Sequence, residues 1–291
     1  MFEDIRKNKI KTGVIVSIFL LMITLIVYYI CMAFELGSMS IVFALIVSII
    51  STFASYYNCD KIVLAVNKAR PATTDEFNKL NNILDALIIS SGMKYRPKLY
   101  IVDDNQPNAF ATGRNPENSV ICVTTALLDK LDYYEIEGVL AHELSHIANY
   151  DIRLSAVVSV MVGLIVMLSD LFTRNFFFKR KNNDNDNSSA ILLIIGFIFL
   201  IISPIFAKLL QLAVSRRREY LADSTAIKYT RNPDGLISAL EKISQDPNEL
   251  SSANKATAHM YIAEPFKKKT ASWFSTHPPV EDRIAALRNL K

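Results

Sequence analysis

Residues 141–146 read Ala-His-Glu-Leu-Ser-His, so His142 and His146 bracket Glu143 in an H-E-x-x-H pattern. On a helix, residues four apart share a face, and both imidazoles can reach one small cation. Glu143 is turned about 100° from His142, which sets its carboxylate beside the cation rather than on it. Zinc suits two imidazoles plus a carboxylate and keeps a fourth position for water, whose pKa it lowers to about 7. Glu143 is then placed to take a proton from water and pass it to a leaving amine.

The third ligand must come from elsewhere in the chain. Residues 215–223 read Ser-Arg-Arg-Arg-Glu-Tyr-Leu-Ala-Asp. Glu219 is the favoured ligand, and Asp223, one turn on, can accept a proton from a ligand histidine and fix its tautomer. Standing alone, the run would read as a surface helix with an Arg–Glu pair. Its place one apolar hairpin after H-E-x-x-H favours the metal. Of the other histidines, His259 reads as a solvated loop residue. His277, anchored by Pro278 and Pro279, reads as a positioned hydrogen-bond donor.

The elements that must hold these residues are partly legible. Asp132 and Glu135 form a capping-box variant that starts the H-E-x-x-H helix, with Ile136, Val139, Leu140 and Ile147 at helical spacing. Thr73 and Glu76 cap a helix running from about Asp75 to Ser91 and stopping at Gly92. Strands are expected at Lys98–Val102 and Ser119–Thr124. Asn108–Gly113 between them reads as a loop of small residues. A short helix near Ala126–Leu131, a helix started by Asn232-Pro233-Asp234 and running through Ser244, and a last helix through Leu290 complete the polar parts.

The apolar parts are distributed unlike those of a soluble domain. The chain has 291 residues, 51% of them hydrophobic, and a formal net charge of +4. Thr12–Phe34 and Leu36–Cys59 carry no charge over 23 and 24 residues. Each is long enough for a hydrocarbon core of about 30 Å. Two further runs follow the motif, Leu154–Ser169 with 16 residues and Ser188–Ala207 with 20. The first run is too long for a signal peptide and lacks a small-x-small cleavage site. Arg6, Lys7, Lys9 and Lys11 place the N-terminus in the cytoplasm. The basic stretch from Arg174 to Lys181 runs against that rule, so the second hairpin either crosses fully or enters without crossing. An even number of crossings must in any case separate His146 from Glu219, because one ion cannot be held from both sides of a bilayer. The three cysteines lack metal or disulfide spacing. Nothing points to nucleic acid.

Together these pieces resemble the HtpX-like family of bacterial membrane zinc metalloproteases, relatives of the CAAX prenyl proteases. The resemblance is carried by Asn108–Gly113, by the run His142-Glu143-Leu144-Ser145-His146-Ile147-Ala148-Asn149-x-Asp151, by Arg218-Glu219-x-x-Ala222-Asp223, and by Thr276-His277-Pro278-Pro279 with Arg283. It covers essentially the whole chain. It implies an α+β membrane protein, mostly helical, with about four transmembrane or membrane-embedded helices and a cytoplasmic zincin-like catalytic domain carrying a small sheet. Residues 1–59 would form a first membrane hairpin and 154–214 a second. Residues 60–153 and 215–291 would form the two parts of the catalytic unit. It also implies one zinc on His142, His146 and Glu219, Glu143 as general base, Asp223 supporting the ligands, and His277 with Arg283 behind it stabilising an oxyanion. Ile121, Cys122, Val123 and Thr124 would be the edge strand that pairs with substrate, and Asn108 would help to seat the peptide. Expected partners are the lipid bilayer and membrane-protein or unfolded polypeptide substrates, in membrane-protein quality control at the bacterial inner membrane. A prenyl-protein protease and a non-catalytic membrane scaffold are the competing readings.

Overall fold

The computed structural model describes residues 2–33, 37–164, 215–252, 256–265 and 278–290. The fourth apolar run and His277 lie outside these residues. Among the described residues, two helices are long and apolar enough to cross a membrane, α1 (Phe2–Ala33) and α2 (Ser40–Tyr57). They pack along a stripe of small residues on α2, where Ser40, Ala44, Ser48 and Thr52 are buried. Small residues at a spacing of four let membrane helices approach closely. The other faces stay apolar and open: Val14, Leu21 and Leu25 on α1 and Phe43, Ile46, Ile50 and Phe53 on α2 are exposed. Such surface is suited to lipid rather than to water.

A short helix α3 (Cys59–Val66), which sequence reasoning did not anticipate, leads to a four-stranded sheet. Its strands are β1 (Arg70–Pro71), β2 (Lys98–Val102), β3 (Ala109–Asn115) and β4 (Asn118–Thr124). The order is β1-β2-β4-β3, with β2 and β4 parallel and the other pairs antiparallel. Helix α4 (Thr74–Ser91) carries the expected capping box and ends at Gly92 in the left-handed conformation. Helices α5 (Thr125–Lys130) and α6 (Tyr133–Ala148) follow the sheet, and the Asp132–Glu135 capping box starts α6.

Two sequence expectations need correction here. Asn108–Gly113 is mostly not a loop: from Ala109 onward it is β3, hydrogen-bonded along β4. The alanines are strand residues because Ala109 and Ala111 are buried in the core between the sheet and the helices. Gly113 serves the turn, since a Cβ there would stand 2.2 Å from the Asn118 carbonyl oxygen. Second, β4 is not an edge strand. Its two sides are occupied by β2 and β3, so Ile121, Cys122, Val123 and Thr124 have no free backbone to offer a substrate.

After α6 the chain turns by 84° into α7 (Asp151–Leu164) across two residues. Tyr150 at this corner has φ of 60°, unusual for a non-glycine residue. Leu154, Val157, Val158, Met161 and Val162 of α7 pack on Ile15, Phe19, Met22, Ile23 and Ile26 of α1. The third apolar run thus begins as a helix alongside the first. Three further helices, α8 (Arg216–Thr230), α9 (Pro233–Gln245) and α10 (Val280–Arg288), join α4, α6 and the sheet around one core. Gly138 of α6 is required by this packing, because a Cβ there would lie 2.7 Å from the backbone nitrogen of Leu236 on α9.

Candidate metal centre

Helix α6 is buried along most of its length, which brings His142, Glu143 and His146 into the interior beside β3. Helix α8 crosses it and contributes Glu219 and Asp223, one turn apart and both buried. The Nε2 atoms of His142 and His146 lie 3.2 Å apart. Glu219 Oε2 is 3.6 Å from His142 Nε2, and Oε1 is 3.7 Å from His146 Nε2. Zinc with bonds of about 2.0–2.1 Å in tetrahedral array separates its ligand atoms by about 3.3 Å. The three side chains therefore fit one such ion.

The outer nitrogens support the same conclusion. His142 Nδ1 is 2.9 Å from Asp223 Oδ1, and His146 Nδ1 is 3.0 Å from Asp151 Oδ2. An acid at Nδ1 holds the proton there and turns a lone pair outward at Nε2. Two lone pairs facing each other at this distance repel, and a cation between them relieves the repulsion. Burial disfavours the charged form of His142, but the bonds to Asp223 and Glu219 outweigh it and raise its pKa to about 9. Burial likewise opposes charge on His146, and Glu219 and Asp151 again win. This cluster attracts positive charge by whichever carrier is present.

Asp223 is held from behind by Arg283, which donates from Nε at 2.9 Å and from Nη2 at 2.7 Å. Although burial works against its charge, Arg283 brings the Asp223 pKa down to about 2. Arg283 itself is fully buried and gives Nη1 to the Ile262 carbonyl at 2.8 Å. It stands behind the ligands, with Nη2 3.5 Å from His142 Nδ1. Asn108 is also differently employed. It is fully buried, donates its amide to the Ala263 carbonyl and accepts from the Ala109 and Ala263 backbone. Its side chain serves the fold rather than a peptide.

Glu143 lines the cavity together with Ala111, both metal-facing histidines and Glu219. Burial raises its pKa, and the nearby histidines oppose the rise. Cys122 behind it is fully buried, which keeps its thiol protonated and unsuited to nucleophilic attack. The roles of two residues at the site were missed by sequence reasoning. His259 is buried and lines the cavity instead of standing in solvent. Asp151 supports His146, and its place five residues after that histidine was the available signal.

The sheet supplies an edge beside this cavity. Thr124 N–H bonds the Asn108 carbonyl, and pairing alternates along an antiparallel ladder. Ala109, Ala111 and Gly113 therefore turn their backbone groups away from β4. At one end this outer side is covered: Phe110 bridges Tyr261, and Ile262 N–H bonds the Ala109 carbonyl at 2.9 Å. Beyond that bridge no strand among the described residues pairs with β3 on its outer side.

Residues 74–291 match the model of peptidase family M48. The chain belongs to that family. Among its relatives, this M48 peptidase is 45% identical over 287 residues to a protease HtpX homolog of Dictyoglomus thermophilum, covering 99% of this chain and 94% of the relative. It is 41% identical to a protease HtpX homolog of Caldanaerobacter subterraneus, covering 100% of this chain and 98% of that one. Its fold is like that of S. mikatae Ste24p, with a TM-score of 0.52 at 16% identity, over 99% of this chain and 67% of the other. The M48 peptidase described here is accordingly an HtpX-like zinc metalloprotease with apolar helices fit for a membrane, and its His142–His146–Glu219 cluster could hold one metal ion.

Proposed function

We propose that this M48 peptidase cuts extended segments of membrane proteins close to the bilayer, from the cytoplasmic side, in the removal of damaged membrane proteins. In this reading residues 1–59 and 154–214 form two membrane hairpins, and 60–153 and 215–291 form one catalytic unit divided between them. The observation that carries it is the convergence of three ligand atoms beside buried Glu143, on a helix that turns within two residues into α7 packed on α1.

His142, His146 and Glu219 would hold zinc, which when bound supplies the Lewis acidity that activates water and polarises a peptide carbonyl. Glu143 is the base: its carboxylate takes the proton from water and delivers it to the departing amine nitrogen. The raised affinity of this buried carboxylate for protons suits both steps. Asp223 and Asp151 keep the two imidazoles in the tautomer that points Nε2 inward, and Arg283 fixes Asp223. The substrate backbone pairs with the outer side of β3 at Ala111–Gly113, a mode that needs an unfolded strand and little side-chain specificity. His277 would donate to the oxyanion.

The test is zinc content and cleavage of an unfolded membrane-protein substrate by the purified full chain. Glu143→Gln should keep zinc and lose cleavage. Glu219→Ala should lose both. Full cleavage by metal-clean Glu143→Gln protein would remove Glu143 from its role, and unchanged zinc in Glu219→Ala would remove the third ligand.

A further inference from the structure

Asn8 sits near the start of α1, 143 residues away from Asp151 in the chain, yet the two touch. Asn8 is buried at 4% exposure on a helix whose neighbouring positions are mostly open. Its Nδ2 donates to Asp151 Oδ1 at 2.7 Å and to the Asn149 carbonyl at 3.1 Å. An amide NH2 has two donors, and both are used at this one corner. The second oxygen of Asp151 is the one that faces His146 Nδ1 at 3.0 Å.

We infer that Asn8 is a positioning residue for the metal centre, acting through Asp151 on His146. A carboxylate hydrogen-bonded on one oxygen only can swing about its terminal torsion, and Arg218 Nη1, 3.6 Å from Oδ1, stands beyond hydrogen-bond distance. With Asn8 on Oδ1, Asp151 is held at both ends, and the ring of His146 is held with it. The bond to Asn149 adds a second restraint, because that carbonyl belongs to the end of α6, where carbonyls lack helical partners. The same corner is clasped once more from α1. Tyr150, in its left-handed conformation, has Lys9 Nζ 4.7 Å from its ring centroid, with Arg153 on the ring at 5.1 Å. Thr12 Oγ1 donates to the Asn8 carbonyl at 2.9 Å. The first apolar helix is thus tied to the metal centre by hydrogen bonds and not by greasy contact alone. This inference rests on His146 being a metal ligand.

The experiment uses the full chain in detergent micelles or lipid nanodiscs. Zinc affinity is measured by chelator competition, and the site's shape by the visible spectrum of the Co2+-loaded protein. Asn8→Ala should weaken zinc binding about 3–10-fold, less than the 10–100-fold typical of a group touching the ligand itself, and should shift the cobalt bands. Asn8→Gln, which keeps the amide, should recover part of both. Ser17→Ala, an exposed change on the same helix, should alter neither. In an Asp151→Ala background, Asn8→Ala should have a much smaller effect, since only the bond to the Asn149 carbonyl is then lost and residues acting in series are not additive. Should Asn8→Ala fail to fold, Asn8→Ser is read in the same way. Wild-type zinc affinity and spectrum in the Asn8 variant, or an equal loss with and without Asp151, would overturn the inference. Wild-type zinc binding by His146→Ala would instead overturn the ligand assignment beneath it.

Discussion

The two histidine arms of the metal centre meet one chemical requirement in two ways. The His142 arm is sealed: its ring is 1% exposed, and Asp223 and Arg283 behind it come from α8 and α10 and form a fully buried ion pair. The His146 arm is more open, with its side chain 15% exposed. Its acid is Asp151, five residues on in the same stretch of chain, which leans on Asn8 and lies 3.6 Å from Arg218. The sealed arm ties metal binding to the stability of the core. The open arm ties it to the helix at the N-terminus. A single carboxylate on Nδ1 is enough to orient an imidazole, so the difference between the arms lies in what each carboxylate is fastened to.

That contrast breaks most sharply at Asp223. Asp223→Ala leaves the Arg283 guanidinium buried with no carboxylate, and removing one partner of a buried pair costs about 3–5 kcal/mol. Its melting temperature should fall by several degrees or more and zinc should be lost with it, as read by thermal melting and metal analysis. A second change, Arg283→Met, should recover much of the melting temperature but not the zinc. If Asp223→Ala melts like the wild type, the sealed arm is not part of the core's stability.

Asp151→Ala should separate the two quantities. Zinc affinity should drop about 10–100-fold while melting in the presence of chelator changes little, because the open arm bears less of the fold. Equal losses of stability in Asp151→Ala and Asp223→Ala would erase the distinction between the arms.

The smallest effect is expected at a pair far from the metal. Arg70 bonds both Glu76 and Asp103, joining β1 to α4 and to the end of β2. Hydrogen bonds from Arg70 bring the Glu76 pKa down to about 2. A carboxyl lowered in the folded state stabilises above its unfolded pKa, about 4.3, and that contribution is lost as pH falls toward 2. The wild type should therefore lose slightly more melting temperature between pH 5 and about pH 2 than Arg70→Met does, and added salt should shrink the gap, since the pair is partly exposed. Identical pH profiles would show that the pair contributes nothing measurable.

Legibility in the sequence follows the range of the interactions. The caps at Thr73–Glu76 and Asp132–Glu135 lie three residues apart, and α4 and α6 begin where these local bonds require. His142 and His146 were legible for the same reason, and Glu219 because it is the first acid after the fourth apolar run. Strand order was not legible. Nothing local to Ser119–Thr124 says that β2 will lie along one side of it and β3 along the other. Ala109 and Ala111 looked like loop residues because their small size answers to helices packed above them, many residues away. Gly138, a poor residue for a helix interior, is the place where α9 comes closest to α6. Asn8 was passed over, Asp151 was given no role and His259 was taken for a solvated residue, because each acquires its meaning from partners brought together only by the tertiary fold.

The stretch at Tyr261–Ala263 has a further consequence. Asn108, Asn67 and Arg283 all fasten it, so it is a fixed stop at one end of the β3 ledge. In the proposed pairing, an incoming polypeptide would find footing for only a few peptide units before it had to veer away. Recognition would then depend on whether a segment can be pulled straight, and residues beyond that short reach should matter little to where the cut falls. Cleavage of randomised peptides with preferences spread over many positions would contradict this.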